Sequence, residues 1–184
     1  MTADQSSAQA SALPTWATLI RDVPDFPRPG VMFKDITPLL ADAPAFVECV
    51  QALAAPWRER RVDVVCGIES RGFIFGVALA SVLGVGFVPL RKAGKLPAAV
   101  EGVDYELEYG SARLEVHRDA IDAGRHALIV DDVLATGGTL DAARELVERT
   151  GAKVAGAALV LELEFLEGRE RWNSPAPLET LLRY

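Results

Sequence analysis

The sequence predicts an α/β fold, a central and mostly parallel sheet flanked by helices, and three observations carry that prediction. Nearly all-apolar runs at 62–68 ("VDVVCGI"), 126–132 ("HALIVDD") and 153–163 ("KVAGAALVLEL") read as strands buried on both faces. Segments with helical spacing or helix-ending glycines lie between them. Strands alternating with helices place helices on both faces, so ligands bind beyond the carboxyl ends of the strands.

The elements follow in order. "MTADQSSAQASALP" is rich in Ser, Ala and Gln and has no basic region before an apolar stretch, so residues 1–15 read as a frayed tail rather than a signal peptide. Residues 16–184 are then one domain of ordinary size. "RDVPDFPRPGVMFKDITPLL" (21–40) carries Pro24, Pro27, Pro29 and Pro38 around Gly30, which forbids a continuous helix and favours a stiff, ordered loop. A helix follows, with Asp42 as N-cap, Pro44 in the first turn and Phe46, Val50, Leu53 and Trp57 at helical spacing.

After the 62–68 strand, "SRGFIFGVALASVLG" (70–84) reads as a helix closed by Gly84, and "GFVPL" (86–90) as a second short strand. "RKAGKLPAAVEGV" (91–103) has Gly, Pro and small residues without periodicity and reads as a flexible loop. "YELEYG" and "ARLEVH" alternate and read as a solvent-facing antiparallel pair. The 126–132 strand, a helix over "GGTLDAARELVERTG" and a final strand at 153–163 complete the chain, without internal repeats.

Composition narrows the function. Half the residues are hydrophobic and 24% are charged, as in a globular protein. No apolar run approaches the roughly 18 residues that cross a bilayer, so a cytoplasmic protein is the default. A net charge of −7 argues against a nucleic-acid partner but leaves room for a small anionic ligand at a local cationic cluster. Cys49 and Cys66 lie far apart in apolar patterns, and neither they nor His117 and His126 show metal-ligand spacing. A divalent metal would have to arrive with oxygen ligands or with the substrate.

"IVDDVLATGGTL" (129–140) carries the chemistry. Gly137 and Gly138 permit close approach, Thr136 and Thr139 add hydroxyl donors, and the backbone N–H groups of a helix start form a phosphate cradle. No Lys precedes Thr139, so this is not a nucleotide P-loop, and "GVGFVP" (84–89) lacks the third glycine of a dinucleotide fingerprint. The plain alternative is that Asp131 and Asp132 cap the helix, for which one carboxylate would suffice. A ribose 5-phosphate explains both carboxylates. Its phosphate suits the 135–139 amides, its 2- and 3-hydroxyls need acceptors, directly or through Mg²⁺, and negative charge stabilises a ribosyl cation developing at C1.

This motif resembles the phosphoribosyl pyrophosphate-binding motif of the type I phosphoribosyltransferases. "DFPRPGVMFKDITPLL", "GIESRGFIFG", "LRKAGKLP", "YELEYG" and "LEGRERW", in that order, are similar to the adenine-specific branch of that family, over residues 22–184. The resemblance implies the type I phosphoribosyltransferase fold, with an N-terminal hood around 24–38 and a lid around 91–110. It implies transfer of ribose 5-phosphate from phosphoribosyl pyrophosphate to N9 of adenine, giving AMP and pyrophosphate, in purine salvage. It also implies a homodimer and Mg²⁺ carried by the substrate, with Asp131 and Asp132 the residues that could touch it.

The same resemblance assigns Asp131, Asp132, Ala135, Thr136, Gly137, Gly138 and Thr139 to the sugar and its 5-phosphate. Arg71, Arg91, Lys92, Lys95 and Tyr109 fall at the pyrophosphate end, a neighbouring subunit commonly supplying the position of Arg91. The charges agree, since 86–103 holds three basic residues and one acid, Glu101, within an acidic chain. Glu108 takes the acid/base role at N7 of the purine, while Glu106, on the same strand face, is expected to be solvated. Phe33 and Leu163 would sandwich the base and the backbone of Met32 would read its amino group. Lys34 stands where some members carry Arg, which loses a planar fork and keeps the charge. Ala135 occupies the place of an Asp in transferases for 6-oxopurines. A 6-oxopurine enzyme, and a regulator of this fold that senses phosphoribosyl pyrophosphate, are the alternatives.

Overall fold

The computed structural model describes residues 13–106 and 110–184. Its packing separates into two units, one up to Glu48 and one from Cys49 to Tyr184.

In the first unit a 3₁₀ turn, Thr15–Leu19, precedes a two-stranded antiparallel ribbon of β1 (Arg21–Val23) and β2 (Phe33–Asp35). Helix α1 (Thr37–Ala41) follows, and α2 (Ala43–Ala54) begins here. The segment expected to be a loop throughout 21–40 is therefore a loop only between the two strands. Pro24, Pro27 and Pro29 all lie there, where no ladder needs their missing N–H, and Pro38 opens α1, where that N–H would be unpaired anyway. The ribbon is pinned by ion pairs Arg21–Asp35 (2.5 Å) and Lys34–Asp22 (2.7 Å). Hydrogen bonds from Thr37 and the Arg21 charge hold the Asp35 carboxyl down at about 2. Asp42 caps α2 as expected, accepting the Ala45 N–H at 3.0 Å.

The second unit is a seven-stranded sheet. Its strands are β3 (Val64–Ile68), β4 (Gly86–Lys92), β5 (Val100–Glu106), β6 (Ser111–His117), β7 (His126–Leu134), β8 (Lys153–Glu162) and β9 (Leu178–Arg183). They lie in the order β5-β6-β4-β3-β7-β8-β9, with β4, β3, β7, β8 and β9 parallel and β5 and β6 antiparallel. Helix α3 (Gly72–Leu83) ends at Gly84 in the left-handed region (φ 70°), and α4 (Gly138–Arg149) follows β7.

The helices cover opposite faces. Val64, Cys66, Ile68, Ala127 and Ile129 share one core with Leu140, Ala143, Leu146 and Val147 of α4. On the other face a Cβ at Gly67 would meet Phe87 at 2.6 Å and the Gly72 carbonyl at 2.9 Å, so α3 sits close there because both partners are glycines. Cys49 and Cys66 are both buried thiols, and burial pushes the Cys66 thiol up to about 12. Nδ1 of His126 is engaged by Asp63 at 3.1 Å, whereas Nε2 of His117 is buried without a hydrogen bond among the described residues.

Two sequence expectations are corrected. The flexible loop at 91–103 is only 93–99. Arg91 and Lys92 end β4, and Val100–Glu106 is a strand in register with β6 from Val100↔His117 to Glu106↔Ser111. Gly102 disguised it, and that glycine is where the Arg113 guanidinium crosses, so a Cβ there would push the Arg113 side chain aside. The pair is also not simply solvent-facing, because Leu114, Glu115 and Val116 are all buried. Second, β8 is not the final strand. β9 adds an edge beyond it, overlooked because "LETLLR" follows two prolines and mixes charged with apolar residues.

The chain turns from β3 to β4 on one side and resumes with β7 on the other, so the sheet order reverses at β3. Such a reversal leaves a crevice at the carboxyl ends of β3 and β7.

Candidate active site

A cavity of about 420 Å³ occupies that crevice. Its walls come from the turn after β3 (Glu69, Ser70, Arg71), the end of β4 (Lys92), the hairpin (Tyr105, Ala112) and the stretch from Asp131 to Leu140.

Asp131 and Asp132 lie near the end of β7, which runs on to Leu134, two residues beyond the expected end. Asp132 is 2% exposed. Its backbone N–H donates to Asp131 Oδ1 at 2.9 Å, and its Oδ2 lies 3.0 Å from Arg71 Nε. That approach is an ion pair by distance only, since Oδ2 accepts no aligned hydrogen bond among the described residues. Burial pushes the Asp131 carboxyl well above the ordinary carboxylate range, with the neighbouring Asp132 charge adding to it. Asp132 is raised as well, by burial, and the Arg71 charge partly offsets this. Both want a cation or a hydrogen-bond donor. Gly72 lies against the pair: a Cβ there would meet the Val130 carbonyl at 2.6 Å and Asp131 Oδ1 at 3.0 Å.

The loop after β7 is an anion cradle. Gly137 stands at the N-cap of α4 with φ 81°, a conformation that glycine adopts without penalty. The N-cap position belongs to Gly137, five residues beyond Asp132, and among the described residues no hydrogen bond runs from the first turn of α4 to Asp131 or Asp132, so the capping alternative has no support. The free N–H groups of the first turn open toward the cavity lined by Ala135, Thr136, Gly137 and Thr139.

The cationic residues divide. Arg71 and Lys92 line the cavity. Arg91 does not: its Nε donates to Glu69 Oε2 at 3.0 Å and its guanidinium lies 5.7 Å from the Phe73 ring centroid. Glu69 also accepts the Lys92 N–H at 2.8 Å, and these donors hold its carboxyl below the ordinary range despite its burial. Lys95 is exposed in the 93–99 connection, outside the cavity walls.

A family model described as the phosphoribosyl transferase domain matches residues 39–176. A curated adenine phosphoribosyltransferase from a Nocardioides species is 57% identical over 178 residues, covering 95% of this chain and 96% of that protein. The chain belongs to the adenine phosphoribosyltransferase family. Solved members of that family share the fold. The Rhodothermus marinus enzyme matches with a TM-score of 0.88 at 49% identity, covering 92% of this chain and 97% of that one. The Saccharomyces cerevisiae enzyme, complexed with D-2,5-dideoxy-2,5-imino-altritol 1,6-bisphosphate and adenine, matches with a TM-score of 0.84 at 43% identity, covering 91% and 96%. Relatives this similar, named for adenine, leave the 6-oxopurine and regulator alternatives without support.

Among the residues expected in such a phosphoribosyltransferase site, the structure brings together Arg71, Lys92, Asp131, Asp132, Ala135, Thr136, Gly137 and Thr139. Gly138 opens α4 beside them and borders a smaller cavity with Glu106 and Arg171. Glu106 is exposed, as expected. Glu108 and Tyr109 lie outside the described residues. Leu163 follows the end of β8, its N–H donating to the Leu134 carbonyl at 2.9 Å, and does not line the cavity. In the first unit, Phe33 is half-buried and edge-on to Phe26 with ring centroids 5.1 Å apart. Met32 beside it is 44% exposed, and Lys34 is held by Asp22. Glu69, Ser70, Tyr105, Ala112 and Leu140 line the cavity without having been singled out. Glu69, Ser70, Tyr105 and Leu140 lie inside quoted motifs, which was the available signal; Ala112 arrives only through folding.

Proposed function

We propose that the chain transfers ribose 5-phosphate from phosphoribosyl pyrophosphate to N9 of adenine, giving AMP and pyrophosphate, and that the crevice cavity holds the pyrophosphorylated sugar. One observation carries the assignment of the site. A carboxylate pair, half-buried Asp131 and buried Asp132, a helix N-terminus and two cationic side chains line a single cavity of about 420 Å³, of the size small-molecule sites have.

The 5-phosphate takes the 135–139 amides and the Thr136 and Thr139 hydroxyls. Asp131 and Asp132 accept the 2- and 3-hydroxyls and face the positive charge that develops at C1. Arg71 and Lys92 receive the pyrophosphate. Closure of the 91–110 segment as a lid brings Lys95 and Tyr109 to that end and excludes water from the oxocarbenium-like transition state. Gly94, at φ 73° with its N–H on Glu115 at 2.9 Å, is the fixed root of the 93–99 connection. Glu108 manages the proton at N7 while N9 attacks. For the adenine end, the family resemblance points to the Met32 backbone, Phe33 and Lys34 in the hood around 24–38 and, separately, to Leu163. Residues 16–184 act as one domain.

Mg²⁺ suits this donor set. The two carboxylates are hard oxygen donors, and with no third His, Cys, Asp or Glu grouped with them among the described residues they fit an ion that brings its own waters and substrate oxygens. Bound there, it neutralises the pyrophosphate's charge, and Asp131 and Asp132 would hold it.

A homodimer completes the reading. Ile74 and Val77 on the outer face of α3 are 42% and 53% exposed, and Arg91 extends over Phe73 of that helix, away from its own cavity. A second copy packed there would receive Arg91 at its pyrophosphate end. The setting is purine salvage in the cytoplasm. Calorimetric titration with Mg–phosphoribosyl pyrophosphate tests the site: Asp132→Asn and Arg71→Ala should each weaken binding. Affinity unchanged in both variants would place the sugar elsewhere.

A further inference from the structure

The motif "LEGRERW" has no role in the reaction as derived so far, yet the structure sets it directly against the phosphate cradle. Two 3₁₀ turns, Glu164–Leu166 and Gly168–Arg171, follow β8. Gly168 touches the cradle by backbone alone. A Cβ on it would collide with the Ala135 carbonyl oxygen and come within 2.9 Å of the Gly137 nitrogen. From the other side, a Cβ on Gly137 would run into the Gly168 carbonyl oxygen. The cradle therefore has a floor made of this turn, and neither surface can shift without moving the other.

Within the turn the Glu167 N–H donates to the Glu164 carbonyl at 3.0 Å and the Glu170 N–H to the Glu167 carbonyl at 3.1 Å, and a side chain then ties it to the sheet. Glu167, which joins its halves, sits in the left-handed region at φ 53°, uncommon for a residue with a side chain, and such conformations persist where surroundings fix them. The fixing group is Arg169. Its Nε and Nη2 donate to the two oxygens of Glu162 at 2.8 and 2.6 Å, its Nη1 to the Leu178 carbonyl at 2.9 Å, and its Nη2 also to Thr180 Oγ1 at 3.1 Å. Thr180 Oγ1 donates in turn to Glu162 Oε2 at 2.8 Å. Glu162 is 4% exposed at the end of β8, and Leu178 and Thr180 belong to β9. A planar fork thus ties the turn to two strands at once, which a lysine could not reproduce.

We infer that the Glu162–Arg169 fork is a positioning device for the reaction: it clamps the Gly168 turn under residues 135–138 and so sets the geometry of the 5-phosphate cradle without touching substrate. This rests on the site assigned above. It also explains why β9 matters to a site it never reaches.

The test uses the full chain and two readouts, ribose 5-phosphate binding by calorimetry and steady-state kinetics with each substrate varied. Arg169→Lys and Arg169→Gln should raise the ribose 5-phosphate Kd and the phosphoribosyl pyrophosphate KM by about ten- to a hundredfold, the scale of a displacement near 1 Å. The adenine KM should stay unchanged in both. Arg183→Gln is the control: Arg183 reaches the same carboxylate only at 3.5 Å and meets the turn only at Glu164, also at 3.5 Å, in the half away from Gly168, so it should leave both constants alone. A merely structural fork would lower the melting temperature and the amount of active enzyme while leaving every KM intact, and that result overturns the proposal. Weakening of adenine and sugar phosphate alike would overturn it too. Failure of the unaltered chain to bind ribose 5-phosphate would instead overturn the site assignment beneath it. Should Arg169→Gln not fold, Arg169→Lys alone decides.

Discussion

Replacing Gly137 by alanine puts the cradle's geometry under direct load. The residue has φ 81°, where an L side chain costs roughly 1–2 kcal/mol. The new methyl also points into backbone, at the Gly168 carbonyl oxygen and 3.1 Å from the Arg171 Cβ, and overpacking of that kind costs about 1–3 kcal/mol. Together these give roughly 2–5 kcal/mol. If the fold absorbs all of it, a chain of this length loses about 4–20 °C in melting temperature. If the loop relieves it by leaving its binding geometry, the same energy weakens phosphoribosyl pyrophosphate by a factor between about 30 and several thousand. Thermal melts with and without ligand, together with KM for phosphoribosyl pyrophosphate, separate the two routes, and a mixture of both is expected. Unchanged melting temperature together with unchanged KM would refute the close contact between the cradle and the Gly168 turn.

Three further outcomes follow from the site. Glu108→Gln should lower turnover by roughly 10²–10⁴, the usual worth of an acid/base group, with the affinity for phosphoribosyl pyrophosphate nearly unchanged; near-normal turnover would remove Glu108 from the mechanism. Asp131→Asn should change how the ligand-free protein responds to pH. Because the folded carboxyl titrates above its unfolded value of 3.8, the native state holds the extra proton, so stability falls as pH rises from there through the raised value. The asparagine variant lacks that decline, so its melting temperature should gain on the parent's between pH 4 and 8 while sugar binding is lost, and parallel pH profiles would contradict the raised carboxyl. Ile74→Lys should halve the mass measured by light scattering and reduce activity as Arg91 is withdrawn from the partner; an unaltered mass would move the interface off α3.

The parts of this molecule that were legible in sequence are those whose signal is local. A buried parallel strand announces itself by an unbroken apolar run, so β3, β7 and β8 were readable, and α3 was closed by the glycine that its left-handed cap requires. The wall of the cavity after β7 was readable for the same reason, since its glycines, threonines and carboxylates sit within nine consecutive residues. What could not be read is what only tertiary contact creates. Gly102 looked like a loop residue because nothing nearby says that Arg113 crosses it. Edge strand β9 mixes Glu, Thr and Arg with leucines because only part of it is covered. The fork from Arg169 to Glu162 spans seven residues without periodicity, and its purpose is visible only once the turn lies under Ala135 and Gly137. Arg91 carried the right charge for the pyrophosphate end, but its direction, onto Glu69 and over Phe73, is a matter of packing.

The most direct test of the central claim is pyrophosphate release from Mg–phosphoribosyl pyrophosphate, with adenine, hypoxanthine, guanine and xanthine supplied one at a time. Release with adenine alone, matched mole for mole by AMP, is the expected result. Release with a 6-oxopurine instead, or no release with any base despite binding of the sugar, would contradict it.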